Sequence, residues 1–191
     1  MGVDDYPRVE VTSRGGWREW LSRNHATERG AWCVTYKKSS GGPYVPYDDL
    51  VEEAIAHGWV DSKSRALDEE RSQLLMTPRK PKSGWSRPNK ERVKRLVGAG
   101  LMTPAGQAAI DVAKRNGSWS ALDDVENLIE PPELKRALDD DPDARRHWDA
   151  FPRSAKRAAL EWISTAKRPE TKERRISETA RRAAQNERAN Q

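Results

Sequence analysis

Eight tryptophans are set into a chain of 191 residues that is 35% hydrophobic and 34% charged, and this pairing decides what the chain can fold into. By composition alone such a chain lies near the disordered class, because it has little apolar surface to offset the entropy of ordering. Each indole, however, can bury roughly 150–250 Å². A lean, tryptophan-rich core under charged helical surfaces is therefore expected. The length suits one domain or two small ones. Trp17, Trp20 and Leu21 stand at i, i+3 and i+4 behind Ser13, which predicts one buried face of a capped helix over 14–25.

The rest of the pattern divides the chain. Residues 1–12 read as a tail or edge strand, and 31–37 as a strand holding Cys33. A helix over 47–57 places Leu50, Val51, Ala54 and Ile55 inward and ends at Gly58. Strands over 58–67 and 71–78 flank Asp68-Glu69-Glu70. From Ser86 onward the pattern is helical. Ser86 caps 87–99, with Val93, Leu96 and Val97 inward, and Thr103-Pro104 opens a helix to 116. Further helices start at Asp141-Pro142, at Ser154 (Ala159, Trp162, Ile163 and Ala166 on one face) and at Pro169. The last of these carries Ile176, Thr179, Ala180 and Ala183 on its apolar side. The fold class is α+β: a small N-terminal α+β unit over 1–85, a mostly helical region over 86–185 packed on it, and a frayed polar tail over 186–191.

Charge is unevenly spread. Between Arg79 and Arg95 eight Lys/Arg face one acid, Glu91, so this window carries +7 of a chain whose formal net charge is +5. A focused positive field attracts anions. Pro78, Pro81 and Pro88 keep much of the run out of a regular ladder. Residues 121–143 carry nine Asp/Glu against Lys135 and Arg136. Three readings of the basic run stand side by side: a binding surface, a solvated face, or a patch neutralised by the acidic segment.

Chemistry-bearing constellations are few. His25, His57 and His147 are scattered and no HExxH or CxxC occurs, so no metal site is expected. No phosphate-cradling glycine loop occurs, and His57, Asp61 and Ser62 lie too close along the chain for a triad; no cofactor and no catalytic residue is assigned. The candidate ligand-binding residues are Trp59, Asp61, Arg65, Arg79, Lys82, Ser83, Trp85 and Asn89. Asp61 and Arg65, four apart on a strand, share a face. They form either a structural ion pair or a device that orients Arg65. Arg79, Lys82, Ser83 and Asn89 offer forked, point-charge and neutral donors. Trp59 and Trp85 either wall the site or belong to the core. Ser83 and Ser86 are equally suited to capping backbone groups.

Several stretches carry a resemblance. They are Trp17-Arg18-Glu19-Trp20-Leu21, Trp32 with Lys37-Lys38, Ala54 through Ser62, Arg65-Ala66-Leu67-Asp68, Thr77-Pro78-Arg79, Ser83-Gly84-Trp85-Ser86 with Asn89, Gly100-Leu101-Met102, and Thr165 through Thr171. In these the chain resembles, over nearly its whole length, the YdeI/OmpD-associated family, also described as bacteriocin-protection proteins. The resemblance implies a role in bacteriocin or envelope-stress resistance and no established reaction. The expected function is thus non-enzymatic, through a basic, Trp-lined site for an anionic small molecule or protein partner. The alternatives are a nucleic-acid-binding accessory protein, for which weak, non-specific binding is the expectation, and an enzyme on an anionic metabolite. No apolar run suits a membrane span or a signal peptide, and the single Cys33 suits a reducing compartment, so a cytoplasmic protein is expected. The sequence leaves the oligomeric state open.

Overall fold

The structure, a computed structural model, describes residues 2–189. The chain forms two compact units, Met1–Ser120 and Ala121–Gln191. The division expected after residue 85 therefore falls later, because the first two helices of the helical half belong with the sheet. Among the described residues no helix is long and apolar enough to cross a membrane.

Unit 1 is built on a mixed four-stranded sheet. Its strands are β1 (Arg8–Glu10), β2 (Ala31–Tyr36), β3 (Trp59–Ala66) and β4 (Arg71–Pro78), in the order β1-β2-β4-β3. The central strands carry the buried runs, residues 31–35 in β2 and 73–76 in β4. That is what strands covered on both sides require. β1 runs parallel to β2, and the other pairings are antiparallel. β3 forms an edge, buried at Trp59 and exposed from Ser62 onward. Its Lys63 and Arg65 are the kind of charged edge residues that discourage pairing with another chain.

The helices of this unit are α1 (Arg14–Asn24), α2 (Tyr47–Ala56), α3 (Arg87–Gly98) and α4 (Pro104–Arg115). Ser13 caps α1 by accepting from the Gly16 amide at 3.1 Å. Thr103 caps α4 through Gly106. Ser86 occupies the N-cap of α3 but makes no side-chain cap bond, against expectation. Helix α2 is the hub, touching α1, β3, α3 and α4. Its acidic face is clamped from both sides. Arg14 reaches Asp49, Glu52 and Glu53, and Arg18 reaches Glu53, while Arg92 pairs with Asp48 and Arg95 with Glu52 at 2.7 Å. The core holds Trp17, Leu21, Ile55, Trp59, Met76, Trp85, Leu96 and Ile110, each no more than 2% exposed. Val97, expected inward, is 51% exposed, so the apolar stripe of α3 is narrower than its sequence spacing suggests.

Unit 2 is helical: α5 (Asp123–Glu126), α6 (Pro132–Asp139), α7 (Pro142–Ala150), α8 (Arg153–Ser164) and α9 (Pro169–Ala184). Its core gathers Leu134, Leu138, Trp148, Leu160, Ile163, Ile176 and Ala183, with α9 packed on α6, α7 and α8. Over 186–189 the tail, expected to fray, folds back beside the end of α9. The amide of Glu187 donates to the Arg182 carbonyl at 2.8 Å, Asn186 takes a positive φ of 57°, and Ala189 is buried. This is a helix C-terminal lock of the Schellman type. Residues 190–191 lie outside the described residues.

Candidate anion-binding site

The site grows from the end of β4. Gly58 closes α2 with a φ of +75°, a region that disfavours side chains, and turns the chain into β3. Its carbonyl accepts the Arg79 amide at 2.9 Å, which fixes the backbone where β4 ends. The following loop is tied down at both ends. The Ser83 hydroxyl and amide both donate to the Lys80 carbonyl, and the carbonyl of Pro81 accepts from Asn116 and Ser118 beyond α4. That anchoring delivers Trp85 into the core, where it meets Trp119 at a centroid distance of 5.1 Å.

Arg79 lies over Trp85, its guanidinium carbon 3.7 Å from the ring centroid. One Nη2 hydrogen bond runs to the Gly84 carbonyl at 3.2 Å. Among the described residues it has no carboxylate within ion-pair distance, and its buried Nε has no hydrogen-bond partner. The Nε1 of Trp85 is a second buried donor without a partner. Leaving such a donor unmet costs about 1–3 kcal/mol. Burial pulls the Arg79 pKa down to about 10, with the charge of Asp61 acting the other way. The cation is thus desolvated and only distantly compensated. Arg79, Lys80, Pro81 and Trp85 line a cavity of about 190 Å³ with Ala108, Ala109 and Val112 of α4.

The other sequence-predicted residues separate into several places. Trp59 is core, 1% exposed, donating to the His25 carbonyl at 3.1 Å and meeting Trp20 edge-on. It is not a ligand wall. Asp61 accepts from the Tyr47 hydroxyl at 2.6 Å. Asp61 and Arg65 do not share a face: β3 is irregular between Asp61 and Ser64, where Asp61 pairs with Met76 but Ser64 with Leu74. One extra residue in a strand reverses the side-chain alternation beyond it. Arg65 accordingly lies over Trp32 at 4.2 Å and pairs with Asp4. Lys82 is exposed, and Ser83 serves the loop turn. Asn89 accepts from Arg92 at 2.9 Å. Of the eight expected residues, the cavity collects Arg79 and Trp85.

The basic run is partly spent within its own unit. Arg92 and Arg95 are held by Asp48 and Glu52 of α2, acids that the sequence reading did not connect with it. Trp85 is buried and offers no stacking platform for a base. Sequence reasoning also missed the small side chains of α4; Ala108, Ala109 and Val112 at i, i+1 and i+4 were their only signal. A larger cavity, about 830 Å³, lies in unit 2 between α6 and the α8–α9 corner. Its lining mixes Arg136, Lys167, Arg168 and Lys172 with Glu133, Asp140 and Glu173, so it focuses no single sign of charge.

Comparison with protein families divides the chain as the structure does. Residues 9–109 match a family described as a domain of unknown function (DUF8412), within unit 1. Residues 127–186 match the family described as Bacteriocin-protection, YdeI or OmpD-Associated, within unit 2. The YdeI/OmpD resemblance is therefore narrower than the residues of the N-terminal half suggested, and Arg79 and Trp85 lie in the other family's segment. A search of curated proteins and a search of solved structures find no match. The chain belongs to the DUF8412 family, whose match spans more than half of it, while part of its second unit is similar to the bacteriocin-protection, YdeI or OmpD-associated family.

Proposed function

We propose that this is a non-enzymatic binding protein that acts in bacteriocin or envelope-stress resistance by capturing an anionic ligand at Arg79. The observation that carries the ligand half is a desolvated guanidinium that lines a cavity and, among the described residues, has no carboxylate partner. A buried cation without a counter-charge is costly, and an incoming anion repays that cost. The resistance half rests on the description of the family matched by unit 2. The proposed location is the cytoplasm, where the one free thiol, Cys33, stays buried and reduced.

The test has two arms. Phosphate, sulfate, acetate, butyrate and a nucleotide are titrated calorimetrically into wild type and Arg79→Gln. Binding by wild type that Arg79→Gln loses is expected; equal binding in both, or none in wild type, removes the site. In the second arm, a strain deleted for the gene is challenged with bacteriocin and complemented by each form. Rescue by wild type alone is expected, whereas full rescue by Arg79→Gln separates the resistance role from the site.

A further inference from the structure

The cavity beside Arg79 has walls of two kinds, and they restrict what an anion there can be. Arg79 and Lys80 supply its positive charge. The rest of the lining includes Pro81, Ala108, Ala109 and Val112, whose side chains offer no hydrogen-bond donor or acceptor. A multiply charged, strongly hydrated anion such as phosphate or sulfate would lose water against these walls and gain nothing from them. A carboxylate carries one charge, and its two oxygens match the edge of a guanidinium, whose face is already covered by Trp85.

Size narrows the class further. At about 30 Å³ for each water, a cavity of 190 Å³ has room for about six to eight non-hydrogen atoms. We infer that the cavity takes a carboxylate bearing a short apolar tail, with the carboxylate on Arg79 and the tail against Ala108, Ala109 and Val112. This inference rests on the anion-site reading above and adds the chemical class. The same group could come from a free short-chain acid or from the C-terminus of a peptide ending in a small apolar residue.

The full chain is titrated with sodium butyrate, acetate, phosphate, butan-1-ol and N-acetylvaline. The readout is the indole N–H resonance of Trp85 in a proton–nitrogen correlation spectrum, identified by its loss in Trp85→Phe. Butyrate should move that resonance and bind at least tenfold more tightly than acetate, phosphate or butanol. Ala108 is exposed on α4, so Ala108→Leu fills the cavity with little strain on the fold. It should weaken butyrate at least tenfold and leave acetate unchanged. Tighter binding of N-acetylvaline than butyrate points to a peptide terminus, the reverse order to a free acid, and either supports the carboxylate-with-tail class. If phosphate or acetate binds as tightly as butyrate, through Arg79 and indifferent to Ala108→Leu, the tail is wrong and the anion site stands. If no anion binds wild type, both readings fall together.

Discussion

Gly106→Ala sets two physical effects against each other, and the structure decides the winner. Alanine is the better helix former, by about 1 kcal/mol in a helix interior, so propensity alone predicts a stabler protein. At Gly106, however, a Cβ would stand 2.3 Å from the Ala56 carbonyl oxygen, 2.8 Å from its carbon and 2.5 Å from the Met102 sulfur. Methionine can move aside; the backbone at the end of α2 cannot. The same carbonyl accepts from the Thr103 hydroxyl at 2.6 Å and from the Thr103 amide at 3.2 Å. Separating α4 from α2 by about an ångström strains two hydrogen bonds worth about 1 kcal/mol each, and overpacking adds about 1–3 kcal/mol. Offset by propensity, the net loss is about 2–4 kcal/mol, or a melting temperature lower by roughly 10 °C. Denaturant melts followed by tryptophan fluorescence suit the measurement, because six of the eight tryptophans lie in unit 1. Gly98→Ala is the control: its Cβ would meet nothing within 4 Å, and a gain of up to about 1 kcal/mol is expected. A Gly106→Ala protein as stable as wild type would refute the close approach of α4. With it would go the placement of Ala108, Ala109 and Val112 against Arg79.

Other consequences can be checked separately. Glu53→Gln should cost about 2–4 kcal/mol in urea titrations: the carboxylate side chain is 2% exposed and accepts from both Arg14 and Arg18, and removing its charge leaves two guanidiniums facing a neutral amide. Burial raises the pKa of Glu53, but its hydrogen bonds to Arg18 and Arg14 outweigh this and hold it below the usual range, so a Glu53→Gln loss that vanished at neutral pH would contradict the clamp. His57 is held below its ordinary value of 6.5, first by burial and then by the charge of His25, while its bond to the Glu53 carbonyl resists. The unfolded chain therefore binds more protons as pH falls below 6.5, and stability is full above that pH and declines through the window down to the folded-state pKa. His57→Gln should flatten this slope in denaturant melts, and an unchanged slope would assign it to other groups. Nucleic-acid binding should be weak. With Arg92 and Arg95 engaged by α2 and Lys80, Lys82 and Lys94 left exposed, anisotropy across a salt series should give a log–log slope of about −2 for single strands. A slope near −5 with binding that persists at physiological salt would favour the nucleic-acid reading.

Much of the fold was legible because local rules set it. The Ser13 cap, the Trp17/Trp20/Leu21 spacing, the Gly58 turn and the Thr103-Pro104 restart each need only a few neighbouring residues, and each stands where the sequence put it. What was missed depends on partners distant in sequence. The inward face of α3 narrows to Val93 and Leu96, while Val97 at the next step points outward. In the acidic stretch, Leu134 and Leu138 stand at i and i+4 behind Pro131-Pro132, a helix pattern hidden by nine carboxylates. Ala189 looks like a tail residue until the αL turn at Asn186 brings it into the core.

The site was half legible, and the reason lies in what residue type can and cannot say. Sequence could identify a basic run with tryptophans; it could not say which cations already have partners. Arg92 and Arg95 lie opposite the acidic face of α2, a pairing that spans some forty positions in the chain. Among the described residues Arg79 has none, because β4 ends there and the anchored loop swings Trp85, not an acid, beneath it. The strand irregularity at Asp61–Ser64 then removes Arg65 to the other face, although nothing in Asp61-Ser62-Lys63-Ser64 marks it, since neither glycine nor proline is present. A dense cluster of cations is therefore a poor guide to the candidate site in this chain. The informative cation is the one that the fold desolvates and leaves unpaired, and that property appears only when the helix pairings and the strand register are known together.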